Sequence, residues 1–268
     1  YPLSASDAGV LGKVKEDFLN HVDICPENIY APDGMMPKDA IFDFCNQYEE
    51  HIQQLGGIDC MLLGIGQYSN IMFNGAGTTP SSRIRLVLLE GAARKEASRR
   101  FSSSEAIPSS VITMGVSNMM KAKSVVLLAW GDDKADVIAK TVEERITDNV
   151  PSSYLQTHIN AKIVVDLSAA YSLTRISHPW LVTSCEWDNK LIRRAIVWLC
   201  LKTGKPILKL TNKDYSENGL GELLALYGSA YNVNIKIFND IQHTITGWPG
   251  GKPNADDSSR PERATPYP

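Results

Sequence analysis

Residues 124–140, Ser124-Val-Val-Leu-Leu-Ala-Trp-Gly-Asp-Asp-Lys134-Ala-Asp-Val-Ile-Ala-Lys140, decide the fold. The apolar run Val125 to Trp130 stops at a glycine and two aspartates, the pattern of a short strand leaving a sheet at a turn. From Asp133 to Thr147, Ala135, Ile138, Val142 and Ile146 recur at spacings of three and four, which predicts a helix packed on that strand. Strand followed by amphipathic helix is one step of a βαβ unit, and such units build parallel sheets.

Working outward, the same alternation recurs. Cys60-Met-Leu-Leu-Gly64, Lys162-Ile-Val-Val-Asp166 and Pro206-Ile-Leu-Lys-Leu210 are apolar runs bounded by Gly, Asp or Pro, and with 124–130 they read as strands buried on both faces. Arg83-Ile-Arg-Leu-Val-Leu-Leu-Glu90 alternates charge with hydrophobe at its start and predicts an edge or half-buried strand. Asp188 is a good N-cap for a helix that presents Leu191, Ile192, Ala195, Ile196 and Leu199 on one face and stops at Gly204-Lys-Pro206. The expected architecture is α/β, a Rossmann-like three-layer sandwich with a mostly parallel sheet, in one domain over 1–246. From Gly247 the composition turns to Gly, Pro, Asp, Ser and Arg, so 247–268 reads as a linker or surface tail.

Composition narrows the function classes. With 43% hydrophobic and 21% charged residues among 268, the chain is ordinary globular protein rather than a disordered or fibrous one. The balance of 27 basic and 30 acidic residues gives −3, so there is no global field to draw in nucleic acid or an anionic membrane, and an anionic ligand has to be met by a few placed cations. Five scattered cysteines without a C-x-x-C pair predict reduced thiols and a cytoplasmic location rather than a disulfide framework or a zinc site. No apolar run approaches the roughly 20 residues of a membrane span. The five histidines are spaced too widely for a metal motif, and His178 and His243 sit where turn or surface roles are expected, so no metal or cofactor is anticipated.

Three places could carry chemistry. Gly64-Ile-Gly66 at the end of a strand lets backbone N–H groups approach a ligand where open α/β sheets bind them, although it is too short for a dinucleotide fingerprint. Lys134, at a strand-to-helix junction, could meet an anion there, whereas taken alone such a lysine is most often a solvated one. Arg94, Lys95, Arg99 and Arg100 form a charge run that by itself reads as a solvated face. Gly66-Gln-Tyr-Ser69-Asn70 lacks the second glycine of a nucleophile elbow, which excludes an α/β-hydrolase.

The order of these signals is informative. His21-Val-Asp-Ile24, Pro26-Glu-Asn-Ile29, Tyr48-Glu-Glu50, Gly64-Ile-Gly66, Ile71-Met-Phe-Asn74, Ala97-Ser-Arg99, Ile112-Thr-Met-Gly-Val116, Ala122-Lys and Gly131-Asp-Asp-Lys134-Ala resemble, in register over about 1–170, the glucosamine-6-phosphate deaminase (isomerase) family. Trp180 to Cys200, and Gly247 to Asp257 followed by Arg260-Pro-Glu-Arg263, are similar to its longer bacterial form, in which a deacetylase-like domain follows the linker. The resemblance implies isomerisation of an amino-sugar phosphate with release of ammonia, without metal or redox cofactor, in a cytoplasmic homo-oligomer that binds neither nucleic acid nor membrane. It implies that Arg99 and Lys134 contact phosphate and that Gly64 and Gly66 line the sugar. Members also carry, upstream of the Tyr1-Pro-Leu3 position, a phosphate loop and an acidic motif that supplies the proton-shuttling base. The three ring-opening positions hold Tyr68, Asn70 and Gly75 here. Asn70 matches a position held by His, or by Asn in the long form, and neither an amide nor a glycine exchanges a proton near neutral pH. The resemblance therefore implies either the family reaction or a sugar-phosphate-binding module that has lost it.

Overall fold

The computed structural model describes residues 10–32, 36–66, 69–89, 91, 94 and 109–246, so Tyr68, Arg99 and the 247–268 tail lie outside the described residues. The chain divides into two compact units, residues 1–177 and 178–268, where the sequence suggested one domain over 1–246.

The first unit holds helices α1 (Val10–Asp17), α2 (Ile41–Gln54), α3 (Val116–Lys121), α4 (Ala135–Val142) and α5 (Thr174–Ser177). Its strands are β1 (Met61–Gly64), β2 (Arg85–Leu88), β3 (Ser110–Thr113), β4 (Val125–Ala129) and β5 (Ala161–Val165). β1, β4 and β5 form a parallel sheet in the order β1-β4-β5, in register through Met61, Val125 and Ala161, while β2 and β3 pair antiparallel. The fold is thus α/β around a parallel sheet, as expected. Long crossovers explain the parallel pairing, since neighbouring parallel strands need a dozen or more residues to connect them.

The strands are not buried on both faces. Met61, Leu63, Val125, Leu127 and Ala129 point into the core with Ile138 and Val137 of α4, whereas Leu62 is 69% and Val164 48% exposed on the opposite face. The period-two alternation of a pleated strand puts Leu62 and Leu63 on different faces, and among the described residues one face is much better covered. The helix expected over 133–147 is confined to Ala135–Val142, after which Thr147 bridges to Val150 in a turn.

Two buried polar contacts fix the surroundings of the sheet. Glu49 on α2 is 3% exposed, and its carboxylate accepts from Arg83 Nε at 2.5 Å and from Asn118 Nδ2 at 3.0 Å. Asn118 in turn accepts from the Gly115 N–H at the start of α3. A Cβ at Gly115 would stand 1.9 Å from the Ser82 carbonyl oxygen, so only glycine admits this close approach. A buried carboxylate is tolerated because both oxygens are paired, and it ties α2, α3 and the lead into β2 together.

The second unit consists of α6 (Asn189–Thr203), α7 (Asn212–Glu217), α8 (Gly221–Tyr227) and α9 (Ala230–Thr246). Its core contains Trp180, Ile192, Ile196, Leu199, Tyr215, Leu223, Val233 and Ile237. The Asp188 carboxylate accepts from the Leu191 N–H at 2.6 Å, and Gly204 closes α6 at φ +67°, both as the sequence indicates. Pro206–Leu210 is not a strand. Ile207–Lys209 make one 3-10 turn between Pro206 and the Thr211 cap of α7, because the segment is squeezed between the left-handed Gly204 and a new helix start. His178 is half-buried rather than a surface group: its ring lies 5.4 Å from both Trp180 and Trp198, and burial, aided by Arg194 and Lys202, holds its pKa below the usual imidazole value. None of the five cysteines is in a disulfide.

Candidate functional site

β1 and β4 run side by side and end together, and beyond their carboxyl ends lies a cleft of about 450 Å³ lined by Leu62, Leu63, Gly64, Ile65, Leu128, Ala129, Trp130 and Lys134. Its size falls within the range of small-molecule sites, and its position is the one that open α/β sheets use for ligands. Gly64 faces it with open space where a Cβ would be.

Lys134 reaches the cleft by a short turn. β4 ends at Ala129, the chain reverses at Gly131 with φ +91°, and Asp132–Lys134 form a 3-10 turn that runs into α4. A positive φ of this size is natural for glycine alone. The Lys134 side chain is 17% exposed, with Nζ 3.0 Å from Asp133 Oδ2. Beside the apolar wall of Leu128, Ala129 and Trp130, a second anion gains more from that ammonium than in bulk water. Across the sheet, Asp166 at the end of β5 accepts from the Gly131 N–H at 3.2 and 3.3 Å and from the Ala169 N–H at 2.8 Å.

At the other exit, residues 65–66 and 69–75 fold back on one another. Ile65 bridges Ile71, and the Gly66 N–H donates to the Asn70 carbonyl at 2.9 Å. A Cβ at Gly66 would lie 2.0 Å from Asn70 Oδ1, so this glycine makes room for the Asn70 side chain. Ser69, Met72 and Phe73 all have positive φ, at 65°, 50° and 58°. Left-handed backbone costs an L-residue about 1–2 kcal/mol, so surrounding contacts must enforce it. Asn74 supplies them: fully buried, it donates from Nδ2 to the carbonyls of Ile71 at 3.0 Å, Met72 at 3.3 Å and Met114 at 2.9 Å, and accepts from Arg85 Nη2 at 2.8 Å. Thr113 Oγ1 also donates to the Met72 carbonyl. Desolvation holds the Arg85 guanidinium below its ordinary pKa.

Of the residues singled out in the sequence, Gly64 and Lys134 therefore share one cleft, while Gly66 and Asn70 pack on each other beside it. Gly75 offers no side chain, and Tyr68 and Arg99 lie outside the described residues. Asp166 and Asn74 were missed as supports, because each acts through main-chain partners that local patterns do not reveal. Among the described residues no group of three or more His, Cys, Asp or Glu could hold a metal, and no helix is long and apolar enough to cross a membrane.

Comparison with known proteins gives this geometry its context. The family described as glucosamine-6-phosphate isomerases/6-phosphogluconolactonase matches residues 5–164. A glucosamine-6-phosphate deaminase-like protein of Bacteroides thetaiotaomicron is 62% identical over 269 residues, which is 100% of this chain and 41% of the relative. A glucosamine-6-phosphate deaminase of Oceanobacillus iheyensis is 40% identical over 156 residues, covering 58% of this chain and 62% of the relative. The chain thus spans less than two thirds of either relative. A solved monomeric glucosamine-6-phosphate deaminase superposes with a TM-score of 0.60 at 32% identity, covering 63% of this chain and 70% of that one. Matched over more than half its length, the chain belongs to the glucosamine-6-phosphate isomerase/6-phosphogluconolactonase family.

Proposed function

We propose that the cleft beyond β1 and β4 takes an amino-sugar phosphate of the glucosamine 6-phosphate type, with Lys134 on the phosphate and the Gly64–Gly66 backbone against the sugar. The observation that carries this reading is the sheltered Lys134 ammonium opening onto the same cleft as Gly64. Arg99, by its match to the family motif, is the second phosphate ligand; a guanidinium fork and an ammonium point charge are a sensible pair on one phosphate. The reaction served is isomerisation with release of ammonia, and the reading places the protein in the cytoplasm, where its unpaired cysteines stay reduced. Self-association, expected from the resemblance, finds no support in the solved relative, a monomeric deaminase.

A second reading, a sugar-phosphate-binding module without turnover, is favoured by one observation. Asn70 is folded onto Gly66 and Gly75 has no side chain, so neither position offers a group that titrates near pH 7. Calorimetric injection of glucosamine 6-phosphate into the 268-residue chain separates the two. Sustained thermal power with ammonia release supports the enzyme, and saturating heats without ammonia support the binder. Lys134→Ala should weaken binding at least tenfold; unchanged affinity in that variant removes the proposed site.

A further inference from the structure

Asp166 has no place in the motifs that mark this family's phosphate contacts, yet its carboxylate is the contact that holds the turn carrying Lys134. It leaves the end of β5 and is half-buried. Oδ1 is fixed from its own side by the Ala169 N–H at 2.8 Å, and both oxygens then meet the Gly131 N–H at 3.2 and 3.3 Å. Gly131 is the hinge between β4 and Lys134. Its φ of +91° is one of several conformations a glycine adopts freely, so the turn needs an outside restraint to stay in one of them. The Lys134 N–H to Gly131 carbonyl contact, at 3.2 Å, closes the turn on that restrained residue.

We propose that Asp166 is a positioning residue for Lys134: it clamps Gly131 and so keeps the ammonium directed at the cleft. This rests on the phosphate-binding reading of the cleft. The clamp and a plain charge effect predict opposite signs. As a bare negative charge, Asp166 opposes an arriving phosphate, and removing it tightens binding. As a clamp, its removal frees the glycine turn, and the cost of re-ordering Lys134 falls on the ligand, which loosens binding. Asparagine at 166 keeps an accepting oxygen for both N–H groups and drops the charge, so it preserves the clamp.

The test is calorimetric titration of glucosamine 6-phosphate into the full chain carrying Asp166→Ala, Asp166→Asn, Lys134→Ala, or Lys134→Ala together with Asp166→Ala. Circular dichroism melts establish that each variant is folded. The expected pattern is about tenfold weaker binding for Asp166→Ala and wild-type or slightly tighter binding for Asp166→Asn. On the Lys134→Ala background, Asp166→Ala should bring no further loss, because a clamp has nothing left to position. Equal or tighter binding by a folded Asp166→Ala, or losses that multiply in the double variant, overturns the clamp. Should Asp166→Ala fail to fold, the Asp166→Asn titration decides: a clear loss there overturns it. If Lys134→Ala itself binds normally, the phosphate reading falls and the clamp with it. If Lys134→Ala loses binding while Asp166→Ala keeps it, the clamp alone fails.

Discussion

Replacing Asn74 with alanine is expected to open the first unit, and its magnitude can be worked from the contacts. The side-chain amide has two protons, and the two shortest of its three donations, to Ile71 and Met114, at 3.0 and 2.9 Å, count as well-made bonds. Each contributes about 1 kcal/mol net, and the charge-assisted bond from Arg85 about 1.5 kcal/mol, the low end of its range because that half-buried guanidinium can regain water. The sum is about 3–4 kcal/mol, or more than two powers of ten in the opening equilibrium. Asn74→Asp should do no better: it keeps a partner for Arg85 but turns an oxygen toward two carbonyls that need a donor. Hydrogen exchange by mass spectrometry on the whole chain is the suitable assay, since the amides of β1 and β4 report opening of this unit alone. Acceleration of those amides by at least a hundredfold is expected in both variants. A change below about fivefold, or rescue by aspartate, would show that the Ile71–Asn74 turn is held by something other than this side chain.

Two further outcomes follow from the same geometry. Leu63, 6% exposed, and Leu62, 69% exposed, are neighbours on β1 with opposite fates, so Leu63→Ala should cost about 2–5 kcal/mol and Leu62→Ala less than about 0.5 kcal/mol in urea unfolding; equal costs would contradict the one-sided packing of the sheet. In the second unit, the Asp214 carboxyl is held down to about 2, chiefly by the Lys205 ammonium and then by the Thr211 N–H and hydroxyl. A depressed carboxyl stabilises the fold above the unfolded pKa near 3.8 and loses that contribution as pH falls toward 2. Asp214→Asn should therefore lower the melting temperature at pH 7 and flatten its fall between about pH 4 and 2, and an unchanged slope would remove Asp214 from the acid response.

Much of the fold could be read from residue patterns where local chemistry decides it. The Asp188 cap, the Gly204 stop and the Val125–Ala129 strand followed by a helix at Ala135 all follow from short-range rules. Local rules fall short where neighbours decide. An apolar run such as Met61–Leu63 is the same sequence whether one face or two are covered, so the exposure of Leu62 could not be foreseen. Pro206–Leu210 has the composition of a strand, but the Gly204 cap and the Thr211 cap leave it room for a single turn. At the cleft, Lys134 and Gly64 stood out because strand ends are recognisable. Asp166 acts 35 positions from Gly131 and Asn74 acts 40 positions from Met114, through carbonyls and N–H groups that every residue possesses, and no spacing rule points to such pairs.

Asn74 is followed by Gly75, and this pairing has a chemical consequence. In a mobile chain the glycine nitrogen attacks the asparagine amide carbon and ammonia leaves, so that an aspartate or its isomer remains after ring opening by water. In the folded protein the Asn74 amide is tied at both ends and sealed from water, which holds the attacking and departing atoms apart from the geometry that closure needs. Every excursion to the unfolded state lifts that protection, and the product carries an acceptor where Ile71 and Met114 need a donor. Time spent unfolded should therefore become, through residue 74, a progressive loss of the ability to refold.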